Sequence, residues 1–194
     1  LALALTRKIK GTNLFRTVFF MPNLIGGIIL GYIWQQMINA VLLKYETTLV
    51  ANPTYGFWGL IILMNWQLIG YIMIIYIAGL QSIDTDVYEA ADLDGATGFK
   101  RFSKITFPLL APSFTINMVL SAKGYLMVYD QIMAMTDGGP GTSTTSIAVL
   151  IYKKGFGGGQ FAYQSANAVM LFVVVVLISV FQLRVLEKRE EKLG

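Results

Sequence analysis

The chain has 194 residues, of which 55% are hydrophobic and 13% charged, a net charge of +4 and a mean hydropathy of +0.61. That composition excludes an ordinary soluble globule and places the chain in a membrane. It has no Cys and no His, which removes disulfides, thiolate chemistry and the usual transition-metal ligands.

The chain opens on Leu1-Ala2-Leu3-Ala4-Leu5, which reads as the last turns of an earlier apolar segment, and it begins without Met. One or two spans are therefore expected ahead of residue 1. Basic residues Arg7, Lys8, Lys10 and Arg16 follow, and then no charge appears until Lys44. A first span is predicted over Thr17–Met37, and its Gly26, Gly27 and Gly31 serve either plain packing or the sliding of closely approached helices.

A second uncharged window predicts a span over Phe57–Leu80, with Gly70 inside it and a polar cluster of Asn65, Trp66 and Gln67 midway. An amide there needs a partner. Asn65 and Gln67 either line a cavity or glue helices together, and Trp66 either packs or presents a flat face.

The next segment, about 84–107, holds most of the internal charge. Asp86 with Glu89 three residues later has the form of a capping box and predicts a short helix through Tyr88, Ala91 and Leu93. Gly95 suits the end of that helix. A second short helix is expected to carry Phe99, Phe102 and Ile105 on one stripe, with Lys100, Arg101 and Lys104 away from it. On residue chemistry alone this is either a compact docking knob or a solvated surface loop.

Pro108 and Pro112 open a third span, Leu109–Tyr129, in which Asn117, Ser121 and Tyr125 recur every four residues and offer hydroxyls, an amide and an aromatic plate. Lys123 interrupts this span. A cation there costs about 2.5–3.5 kcal/mol on insertion scales, so it either turns to a water-filled path or snorkels outward. Seven residues on, Asp130 is roughly 10 Å along a continued helix and too far for a direct pair.

Asp137-Gly138-Gly139-Pro140-Gly141 is a tight turn, Ser146 to Tyr152 is an apolar stretch suited to the outer face, and Gly157-Gly158-Gly159 leads into a last span over Phe161–Leu183. Lys and Arg sort the connections. Eleven lie with the 84–107 segment, the first basic cluster and the C-terminal tail, against Lys44, Lys153 and Lys154 on the other side. The eleven-to-three asymmetry predicts four complete spans with a cytoplasmic C-terminus. Topology accounts for the basic residues, and no nucleic-acid partner is implied.

Glu89-Ala90-Ala91 with Gly95, then Ile105 and Pro108, resembles the EAA loop of membrane subunits of binding-protein-dependent ABC importers. Arg16-Thr17-Val18-Phe19-Phe20-Met21-Pro22, Ile33-Trp34, Ala78-Gly79-Leu80-Gln81 and Thr136-Asp137-Gly138-Gly139-Pro140-Gly141 are similar to the sugar-permease branch, of the maltose- and glycerol-phosphate-transporter type. The resemblance covers nearly all of the chain.

It implies an all-α polytopic helix bundle of the type I importer class, a single permease domain over 1–194. It implies a multi-pass protein of the cell membrane, in contact with lipid. The partners implied are a second permease subunit, two ATPase subunits carrying ATP and Mg, an extracytoplasmic sugar-binding protein and a sugar substrate. This chain would bind no cofactor or metal and catalyse nothing. Glu89, Ala90, Ala91, Asp94, Gly95, Phe102, Ile105 and Pro108 would couple to the ATPase, and Asn65, Trp66, Asn117, Ser121, Lys123 and Tyr125 would line the substrate path. An ion-coupled secondary transporter and a scaffold or channel without an ATPase are the rival classes. The first would carry an acidic coupling residue in a span core, which no predicted span has, and the second gives no reason for the Glu89–Gly95 pattern.

Overall fold

A computed structural model describes residues 1–6 and 10–190. Arg7, Lys8 and Lys192 of the basic pattern lie outside the described residues. The described chain is all-α: α1 (Ala2–Leu5), α2 (Thr12–Leu24), α3 (Gly27–Leu42), α4 (Pro53–Gln81), α5 (Thr85–Leu93), α6 (Gly98–Arg101), α7 (Phe107–Leu109), α8 (Ala111–Leu126), α9 (Asp130–Met135), α10 (Ile147–Tyr152) and α11 (Phe161–Glu190).

Among the described residues, two helices are long and apolar enough to cross a bilayer by themselves, α4 and α11. Local chemistry starts α4 cleanly: Asn52 Oδ1 accepts from the Thr54 and Tyr55 N–H groups at 2.9 and 3.4 Å, and Pro53 occupies the first turn. Much of α11 is uncovered apolar surface, including Val169, Phe172, Leu177 and Phe181, a face suited to lipid or to another membrane helix.

The predicted first span, Thr17–Met37, is not one helix. It breaks at Ile25 and Gly26, and the pieces are bent by 98°. Pro22 has no N–H for the ladder and crowds the preceding turn, and Ile25 and Gly26 then adopt extended ψ values of 133° and 140°. At 13 and 16 residues, α2 and α3 are roughly 20 and 24 Å long, each short of a hydrocarbon core of about 30 Å. They reach a span's length only as a broken pair.

The predicted third span is also altered. Its helix begins at Ala111, bends by 61° from the Gly98–Leu109 unit and stops at Leu126 instead of reaching Tyr129. Asp130 therefore starts α9, and the expected continuation of one helix from Lys123 to Asp130 does not occur.

α2 packs on α4, α3 on α9, and α8 on both α4 and α11. Glycines set the closest approaches. A Cβ on Gly31 would come within 2.6 Å of the Ala134 Cβ, and one on Gly70 would run into the Phe19 carbonyl. Leu30, Leu49, Leu60, Leu63, Ile132, Met135 and Val149 form the main buried cluster, gathering α3, α4, α9 and α10 at one end of the molecule. The 137–141 turn follows the cluster's Met135 in the chain, and the Thr144 hydroxyl closes it by donating to the Gly139 carbonyl at 2.9 Å.

Candidate functional site

The helix break opens onto a small cavity of about 180 Å³, whose walls mix polar side chains with the apolar Met64 and Leu68. Asn23 comes from the end of α2, Gln67 from the middle of α4, Ser121 and Tyr125 from α8 and Gln131 from α9. Breaking a membrane helix frees backbone carbonyls that lipid cannot satisfy. Here Gln67 Nε2 donates to the Ile25 carbonyl at 3.2 Å, while its Oε1 accepts from Gln131 Nε2 at 2.9 Å. One amide thus ties the break to α9.

Two residues back along α4, the Tyr125 hydroxyl donates to Asn65 Oδ1 at 3.1 Å, and Asn65 Nδ2 donates back to the Ile61 carbonyl at 2.8 Å. The Trp66 and Trp34 rings lie 5.3 Å apart at 49°, fastening α4 to α3 beside the cavity. All five polar lining residues are half-buried, so the cavity is open on one side.

At the other end of α4 the 84–107 segment folds as two short helices. Its N-cap is Asp84, whose Oδ1 accepts from the Asp86 N–H at 3.2 Å. The expected cap at Asp86 is displaced by two residues. Starting earlier adds half a turn and leaves Asp86 in the first turn, where its charge favours the helix dipole. No capping box forms, and Glu89 is exposed with no ion pair or hydrogen bond among the described residues.

The helix end is a Schellman turn. The Ala96 N–H donates to the Ala91 carbonyl at 2.9 Å, the Gly95 N–H to the Asp92 carbonyl at 3.1 Å, and Gly95 takes φ +67°. Arg101 then folds back, donating to Asp92 at 2.8 Å and lying 5.5 Å over the Tyr88 ring.

The expected stripe of Phe99, Phe102 and Ile105 is shifted by a π turn over Phe102–Thr106. Pro108 cannot donate to the Lys104 carbonyl, so the ladder widens and the Phe107 N–H reaches the Phe102 carbonyl. The aromatic series becomes Phe99, Phe102 and Phe107, with centroids 6.4 and 6.1 Å apart, while Ile105 is half-buried. Phe102 and Phe107 wall an apolar cavity of about 590 Å³ together with Tyr76 and Leu80 of α4 and Leu186 of α11. The segment is thereby seated on the ends of the long helices, yet Leu93 and Phe99 remain 91% and 81% exposed.

The sequence profile of the binding-protein-dependent transport system inner membrane component family matches residues 1–192. The chain belongs to this family. It is 40% identical to a probable starch degradation products transport system permease protein of Thermoanaerobacterium thermosulfurigenes, over 98% of this chain and 68% of the relative. It is 34% identical to a multiple sugar-binding transport system permease protein of Streptococcus mutans, over 98% of this chain and 69% of the relative. Its fold is similar to that of a bacterial ABC transporter involved in the import of the acidic polysaccharide alginate. That likeness has a TM-score of 0.82 at 23% identity and covers 96% of this chain and 70% of that one.

In this inner membrane component, the structure brings together Asn65, Ser121 and Tyr125 of the residues expected along a substrate path. Trp66 stands beside them against Trp34. Asn117 is on the same side of α8 as Ser121 but is sealed in the α4–α8 seam at 5% exposure. The Tyr76 hydroxyl faces it there, yet neither its Oδ1 nor its Nδ2 makes a hydrogen bond of good geometry.

Lys123 does not line the cavity. At 100° per residue it lies about 160° from the mean direction of Ser121, Gly124 and Tyr125, and it is exposed. Sequence reasoning missed Asn23 and Gln131 and set Gln67 behind Asn65. The available signal was Pro22 with Gly26-Gly27, which marks a helix break and hence a place where buried amides are needed.

Proposed function

We infer that this chain is the membrane permease subunit of an ATP-driven sugar importer. It forms half of the translocation path beside a second permease subunit, in the cell membrane, with its C-terminus and the 84–107 segment on the cytoplasmic side. An extracytoplasmic binding protein delivers the sugar, and ATP with Mg is bound and hydrolysed by two partner ATPase subunits. The chain itself performs no catalysis.

The observation that carries this reading is the α5 knob. A capped helix with a free carboxylate at Glu89 and bare apolar groups at Leu93 and Phe99 is shaped for a groove on a soluble partner. Ala90 and Asp94 share the exposed surface, buried Ala91 and the Gly95 turn hold the helix in shape, and Phe102, Ile105 and Pro108 tie it to the base of α8. Closure of the ATPase pair would move this knob as a lever, and the α3–α9 and α2–α4 contacts at Gly31 and Gly70 would carry the motion to the cavity. The sugar assignment is supported by the starch-product and multiple-sugar relatives.

The test is a mild-detergent pull-down of the tagged full-length chain with mass spectrometry. An ATPase and a second permease are expected with the native chain, and the ATPase should be lost from Glu89→Lys. Recovery of the chain alone, with ion-driven uptake in liposomes, would refute the reading.

A further inference from the structure

We propose that the Gln67–Gln131 amide pair makes the cavity selective for uncharged polyhydroxyl solutes, so that it admits neutral sugars and rejects phosphorylated or uronic ones. This rests on the importer reading above and adds the substrate class.

Every polar group lining the cavity is neutral: two Gln amides, one Asn amide, one Ser hydroxyl and one Tyr hydroxyl. The nearest cation along α8, Lys123, lies on the opposite face of that helix, and the residue beside Gln131 is the anionic Asp130. A phosphate or carboxylate entering here would shed water without a compensating positive charge.

Hydrogen-bond chemistry points the same way. Phosphate and carboxylate oxygens only accept, whereas a sugar hydroxyl both donates and accepts. Gln67 Oε1 presents an acceptor lone pair, and the amide nitrogens of Gln67 and Gln131 each keep a second N–H beyond the bonds they make to Ile25 and Gln67. Such a mixed surface suits hydroxyls and leaves an anion facing carbonyl oxygens. The fold is shared with an importer of an acidic polysaccharide, so the fold by itself does not dictate this preference.

The test uses the intact complex purified with its partners and carrying Ser121→Cys as a reporter. Residues 1–194 hold no cysteine, so once any cysteine elsewhere in the complex is replaced, an uncharged maleimide reads that single cavity position. Glucose, maltose and maltotriose are compared with glucose 6-phosphate and glucuronate, while ATP hydrolysis stimulated by the binding protein is followed in parallel. At about ten times its half-protecting concentration, at least one neutral sugar should slow labelling about tenfold, and both anions at the same concentration should leave it nearly unchanged.

Protection by an anion equal to that by the best neutral sugar would overturn the proposal. So would a lack of protection by every solute in a complex whose ATP hydrolysis still answers to the binding protein, and the importer reading would then stand. Absence of stimulated ATP hydrolysis from the complex without the Ser121→Cys substitution would overturn both. Adding Gln131→Leu should raise the sugar concentration needed for protection about tenfold, and unchanged protection would count against the amide pair. If that variant does not assemble, the comparison of anions with neutral sugars decides alone.

Discussion

Gly95 offers the sharpest test of the docking knob, because its surroundings separate backbone conformation from packing. Its φ is +67°, its N–H closes the helix on Asp92, and a Cβ added there would have no heavy atom within 4 Å. Alanine would therefore be opposed by the left-handed backbone alone, about 1–2 kcal/mol. Asparagine enters that region more readily and should cost less. Proline can neither reach φ +67° nor supply the N–H.

If the closed helix end is what the ATPase grips, 1–2 kcal/mol lowers the ratio of closed to open helix ends by about 5- to 30-fold. Affinity of the reconstituted permease pair for its ATPase, measured by surface plasmon resonance in nanodiscs, should follow glycine, asparagine, alanine, proline in falling order, with sugar-coupled ATP hydrolysis falling in parallel. Alanine binding as tightly as glycine, or asparagine as weakly as proline, would refute the reasoning.

Gly70→Ala should lower thermal stability in detergent by about 1–3 kcal/mol, because the new methyl meets the Phe19 backbone and no flexible side chain can yield. Gly26→Ala, in open space at φ −56°, is the control and should be nearly neutral in the same melting assay. Asn117→Leu removes a buried amide without a hydrogen bond of good geometry and should stabilise the chain by about 1 kcal/mol; a comparable loss would show that the facing Tyr76 hydroxyl satisfies the amide. Lys123→Ala should leave uptake of neutral sugars unchanged, since the side chain lies opposite the cavity stripe, and a selective loss would place it on the path.

Sequence by itself determined the class of this protein and the position of its charged insert. Uncharged windows longer than a bilayer needs and glycine at the end of a short amphipathic helix are local signals. Each depends only on residues within a few turns of one another. The Schellman turn at Gly95 and the start of α4 at Asn52 and Pro53 formed for the same reason. The shift of the cap to Asp84 and the π turn before Pro108 show the limit of that reasoning. Two acidic residues two apart compete for one helix start, and only the geometry of the chain leaving α4 selects between them.

Tertiary structure decided the cavity. The bend of α2 against α3 is a weak preference at Pro22 and Gly26 until Gln67, 42 positions beyond Ile25, satisfies the carbonyl it frees. Gln131 meets Gln67 across 64 positions of sequence because α3 and α9 approach closely at Gly27 and Gly31. Asn117 and Ser121 share a helical stripe, yet one is sealed in a seam and the other opens to the cavity. Periodicity assigns residues to a face of a helix, but what that face meets is set by packing between segments far apart in the chain.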